Sequence, residues 1–191
     1  MDSLSLDNLS YLHYAIIFLA TIGAAFISGV GGFGGAFVIA FLLTPIVGVK
    51  GIVPLIAVFA FIGNFCRLAF YFRTIDWPVA GKYFLSSLPG VYIGTTIFKT
   101  LPERPLLLLF GAILILAIPL RRYLKSRSFS QGWKSIFGFG FLYGCISGTA
   151  VGAGMFVVAG LLSIGMQGPL LLGTDALIGL MNSSSRIVAF R

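Results

Sequence analysis

The chain has 191 residues, of which 58% are hydrophobic and 9% charged, with a mean hydropathy of +1.04 and a formal charge of +8. A soluble domain carries roughly 25% charged residues to cover its surface, so a soluble enzyme or nucleic-acid-binding domain is excluded. The basic excess is assigned to loops that orient a membrane protein, with lipid rather than nucleic acid as the partner. Long apolar runs, not alternating ten-residue segments, argue against a transmembrane barrel and predict an all-α, polytopic helical membrane protein.

Residues 8–49 contain no charged side chain. As one straight helix, 11–48 would be about 57 Å long, against a hydrocarbon core about 30 Å thick. The run must therefore break, and Gly29-Val30-Gly31-Gly32-Phe33-Gly34-Gly35 is where regular helix is hardest to hold. The broken helix 11–48 is thus expected as two pieces, 11–28 and 36–48. A second helix is expected at 51–72. Asp76-Trp77-Pro78 has the form of a helix start, with Asp as N-cap and Pro in the first turn, and opens a third helix at 77–98. Lys99 to Pro105 reads as a loop, followed by a fourth helix at 106–121. Residues 122–134 form a basic loop; with Arg121 it holds Arg122, Lys125, Arg127 and Lys134, which predicts a cytoplasmic location. Residues 135–174 are again free of charge and broken by glycine between Gly148 and Gly154, and a final helix is expected at about 169–190.

Shifted by 119 residues, the chain matches itself without gaps. Ile27-Ser28-Gly29 falls on Ile146-Ser147-Gly148, Gly35 on Gly154, Phe37-Val38 on Phe156-Val157, Leu42-Leu43 on Leu161-Leu162, and Arg67 on Arg186. A duplication explains why the glycine break, the helix after it and a distant arginine keep one register. Residues 1–121 then form a first transmembrane repeat and 135–191 a partial second one. With an odd number of passes per repeat, the second copy is inverted, an arrangement used by transporters with broken helices. The counterparts of the first repeat's last two helices would occupy about 193–240. The second repeat is therefore expected to be incomplete, and the competing expectation to a carrier is a non-transporting subunit or a truncated, inactive fragment of one.

At these residues the sequence resembles the TauE/SafE family of membrane transporters, the sulfite exporter or 4-toluene sulfonate uptake family. The resemblance rests on the Gly29–Gly35 cluster, Arg73-x-x-Asp76-Trp77, Gly90-x-x-x-Gly94, Gly148-Thr149 followed by Gly152-x-Gly154, and Gly173-Thr174. It implies a bacterial inner-membrane carrier of small sulfur-containing anions such as sulfite or sulfonates, driven by a proton or sodium gradient. It says nothing of the oligomeric state.

Broken helices place N-terminal N–H groups inside the membrane, where they can hold an anion. The candidate substrate site therefore includes Gly34, Gly35, Gly152 and Gly154, which could equally serve close helix packing. Asn64 and Arg67 share one helix face, as do Asn182 and Arg186; a cation beside an amide suits an oxyanion, and snorkelling to the interface is the alternative for each arginine. Thr149, with Ser147, Ser183 and Ser184, offers hydroxyl donors. Asp175, an acid in an apolar segment, has three roles open to it: a coupling group taking up a proton, a partner of Arg186, or a helix cap after Gly173-Thr174. Cys66 and Cys145 lack metal-ligand spacing, His13 is expected at the membrane edge, and no metal, cofactor or enzymatic constellation is expected.

Overall fold

The structure, a computed structural model, describes residues 18–19, 22–23, 35–126, 133–150 and 152–190. The Gly29–Gly34 part of the first break and residues 127–132 of the basic loop lie outside the described residues, as does most of the expected helix 11–28.

The described residues form helices and no strand. Helix α1 (Gly35–Tyr71) is bent at Gly48, whose φ of 77° lies in the left-handed region that favours glycine. This separates a first arm, starting at Gly35, from a long second arm. A short 3-10 turn (Phe72–Thr74) leads to α2 (Trp77–Thr100). Asp76 caps α2 as its sequence predicts: Oδ1 accepts a hydrogen bond from Val79 N at 3.1 Å, and Pro78 sits in the first turn. Helix α3 (Glu103–Ser126) begins after only Leu101 and Pro102. It therefore starts earlier and ends later than the expected 106–121. Pro105 occupies the first turn, where its missing N–H costs nothing, and Glu103 complements the N-terminal dipole. Arg121, Arg122 and Lys125 are consequently helical rather than part of a loop.

In the second half, α4 (Trp133–Thr149) stops at the predicted glycine break. Gly152, at φ 86°, makes the corner, and α5 (Gly154–Ser163) follows. Helix α6 (Gly168–Phe190) completes the described chain. The short helix after the second break begins at Gly154, the position that the 119-residue shift equates with Gly35, the first described residue of α1.

Helices α2 and α4 run parallel and pack at backbone contact. A Cβ on Gly90 would stand 2.8 Å from Cys145 N, one on Gly94 2.5 Å from Cys145 O, and one on Gly148 2.8 Å from Val91 O. Gly140 and Gly144 likewise lie against the Tyr83 and Ser87 carbonyls. Lipid supplies no hydrophobic force between helices, so this small-residue seam is what lets α2 and α4 associate by van der Waals contact. The second arm of α1 runs antiparallel to α6: Val53 meets Arg186, Asn64 meets Gly179, and Arg67 meets Asp175. By the 119-residue shift these are equivalent helices.

Apolar side chains fall into two cores. One joins Tyr83, Ile146, Phe156, Val157, Leu177 and Ile178, with Leu68 against it. The other joins Ile39, Leu43, Val53, Ile56, Phe98 and Leu106, with Phe190 against it. Because Tyr83 and Phe98 lie toward opposite ends of α2, the two cores do as well. Outward faces stay apolar: Phe41, Phe70, Leu108 and Val188 are each more than 70% exposed. Among the described residues one stretch, Lys50–Thr74, is long and apolar enough to cross a membrane by length and composition.

Candidate functional site

Helix α6 carries a buried polar line. Asp175, Gly179, Asn182 and Arg186 recur at alternating intervals of four and three residues, which puts them on one helix face. All four are buried. Each level of the line meets a different partner.

At the first level, Arg67 Nη2 donates to Asp175 Oδ2 at 2.9 Å; the side chains are 17% and 7% exposed. The cap role for Asp175 does not hold, because α6 has already begun at Gly168 and the carboxylate lies inside the helix. Nor is Arg186 its partner, since the antiparallel packing presents Arg67 at that level instead. At the second level, Asn64 covers Gly179, where a Cβ would stand 2.5 Å from Asn64 Nδ2. At the third, Ser147 Oγ donates to Asn182 Oδ1 at 2.9 Å, while Asn182 Nδ2 points at Ser87 Oγ, 3.5 Å away. This ties α6 to both members of the α2–α4 seam. Ser87 was not among the expected residues.

At the fourth level stands Arg186, 6% exposed. Its Nη2 donates to the Val53 carbonyl at 3.3 Å, and its Nε has no hydrogen-bond partner. Among the described residues no carboxylate lies within ion-pair distance of it. Both arginines are thus turned inward rather than snorkelling. Arg67 is neutralised and Arg186 is not. An uncompensated buried charge costs several kcal/mol, so Arg186 is where this fold has an unmet demand for an anion.

The remaining expected residues are placed as follows. Gly35 is buried at the start of α1, whose first arm joins the core holding Val53. Gly34 lies outside the described residues. Gly154 opens α5 with no side-chain cap on its N-terminus and no atom within 4 Å of a would-be Cβ. Gly152 supplies the corner before it. Thr149 ends α4, and its hydroxyl bonds back to the Cys145 carbonyl at 2.9 Å. The described contacts set the two arginines at different levels of the α1–α6 packing. Arg67 and Asp175 stand beside the core that holds Ala153 and Phe156 of the second break; Arg186 reaches Val53 of the core that holds the first arm of α1 and also lies near Tyr143 of the other core. Along α6, Asp175 and Arg186 are about 16 Å apart at 1.5 Å per residue.

The turn between α1 and α2 docks on α6. Asp76 N donates to Thr174 Oγ1 at 3.0 Å, Thr74 Oγ1 donates to the Pro169 carbonyl at 3.0 Å, and a Cβ on Gly173 would meet the Tyr71 carbonyl at 2.8 Å. The Arg73-x-x-Asp76-Trp77 and Gly173-Thr174 segments are therefore two sides of one contact.

A helical bundle with outward apolar faces and a helix long and apolar enough to cross a membrane fits an integral membrane protein. The chain belongs to the sulfite exporter TauE/SafE family, whose description matches it over residues 17–191. No curated protein and no solved structure matches it. Members of this family are membrane transporters of sulfite-type anions.

Proposed function

We propose that the chain is a multi-pass carrier of the bacterial inner membrane that moves a small sulfur-containing anion, sulfite or a sulfonate, down or against its gradient at the expense of a proton or sodium gradient. Family membership supports the class, and one observation supports the site: among the described residues Arg186 is a buried guanidinium with an unpartnered Nε and no carboxylate beside it. A compact oxyanion matches the guanidinium fork, which can present two N–H groups to two oxygens. Asn182, one turn away on the same face, offers an amide beside it. Ser147, which donates to that amide, holds it in place.

A duplication with the second copy inverted is the architecture we infer with it. The helices that the 119-residue shift equates, α6 and the second arm of α1, are antiparallel. The uncapped N-terminus of α5 and its counterpart at Gly34-Gly35 supply further N–H donors at stages of the cycle when the anion passes them. Reconstituted protein should take up labelled sulfite in a saturable way that a competing sulfonate reduces. Liposomes whose uptake does not exceed that of protein-free controls, under both proton and sodium gradients, would contradict the proposal.

A further inference from the structure

The two arginines that the 119-residue shift equates differ in one respect. Among the described residues, Arg67 has a carboxylate and Arg186 has none. Their settings otherwise correspond. Arg67 lies on the second arm of α1, which follows the short helix begun at Gly35. Arg186 lies on α6, which follows the short helix begun at Gly154. Each arginine faces the other repeat's long helix. Arg67 stands near the core holding the start of α5, and Arg186 near the core holding the first arm of α1. The residue that the shift equates with Asp175 is Ile56, 3% exposed and one turn beyond Val53, the residue whose carbonyl Arg186 reaches.

We propose that Asp175 is a built-in stand-in for the transported anion: it fills at Arg67 the position that a mobile oxyanion takes at Arg186. The proposal rests on the carrier reading above and adds to it. One of two like centres is permanently plugged by a carboxylate, so the carrier binds its substrate on one arginine alone. The chemistry of the ligand class follows from the plug itself. A carboxylate and a small sulfur oxyanion both present two adjacent oxygens carrying a full negative charge, which is what a guanidinium fork accepts. In the first repeat the plug's position is apolar, so the second arm of α1 offers Arg186 no carboxylate of its own.

The test uses the full chain purified in detergent, with sulfite and formate as probes. The wild-type chain should bind a single labelled sulfite. Asp175→Ala should lose thermal stability, because it leaves Arg67 buried and unpaired, and formate should raise the stability of the variant by more than that of the wild type, in which only Arg186 is open to it; at higher concentration the variant should bind a second anion. Ile56→Asp should place a carboxylate beside Arg186 and weaken sulfite binding by on the order of tenfold or more relative to Ile56→Asn, since a like charge then occupies the anion's position. The Ile56 pair decides the matter if Asp175→Ala does not fold. Equal sulfite binding by Ile56→Asp and Ile56→Asn overturns the proposal, as does an Asp175→Ala protein whose stability ignores formate. Failure of the wild-type chain to bind sulfite would instead strike the carrier reading, since the excess of formate stabilisation in the variant over the wild type reports on Arg67.

Discussion

An arginine in hydrocarbon either reaches for the interface or finds a partner of opposite charge, and this chain contains one that does neither fully. Arg186 rests on a backbone carbonyl with one N–H unused, whereas Arg67 has Asp175. The consequences differ. Arg67→Met should strand the Asp175 carboxylate and lower stability by about 3–5 kcal/mol, while the double change Arg67→Met with Asp175→Leu should recover most of that loss; thermal unfolding in detergent would show whether it does. At this scale the sequence was partly legible. The shared faces of Asn64 with Arg67 and of Asn182 with Arg186 follow from helical spacing alone. The partner of Asp175 does not, because it comes from a helix 108 residues away whose antiparallel register sets the pairing. The spacing of Asp175, Gly179, Asn182 and Arg186 was present in the sequence and marks the whole polar line.

Among the elements, the α2–α4 seam is the clearest case of glycine acting through contact rather than flexibility. Gly144→Leu should push the helices apart and cost about 1–3 kcal/mol or more, as overpacking does. Gly138→Ala lies on the same helix with no atom within 4 Å of the added methyl, and should be neutral or stabilising by up to about 1 kcal/mol. Asp76→Ala should remove the α2 cap and cost roughly 1 kcal/mol. Paired melting curves check all three. The Asp76-Trp77-Pro78 start and the end of α4 at its glycines were legible because caps and breaks are local chemistry. The ends of α3 were not. Prolines at 102 and 105 suggest a loop, yet a proline in the first turn is tolerated, and Arg121, Arg122 and Lys125 are good helix formers that extend the helix to Ser126.

For the whole molecule, the all-α architecture was legible in the long apolar runs, and the helices that the gap-free register equates pack antiparallel. What the register does not determine is whether equivalent arginines converge. That depends on how the long helices cross, and here they set Arg67 and Arg186 at two levels. The orientation rests on the basic loop. With Cys66 and Cys145 replaced by Ala, a cysteine at Ser128 should react only with reagent that reaches the cytoplasm, and one at Thr100, at the end of α2, only with reagent outside; the reverse pattern would invert the topology.

The most direct measurement is labelled-sulfite uptake by proteoliposomes of Arg186→Gln beside the wild type, with thermal stability recorded on the same preparations. The change removes the charge but keeps an amide of similar reach. Apparent affinity for sulfite should fall by about 1.5–3 kcal/mol, the range for hydrogen bonds to charged groups, or about 10- to 150-fold. Anion-free stability should hold or rise, because an uncompensated buried charge has been taken away. Uptake with unchanged affinity in a folded Arg186→Gln protein would show that the anion does not bind at Arg186.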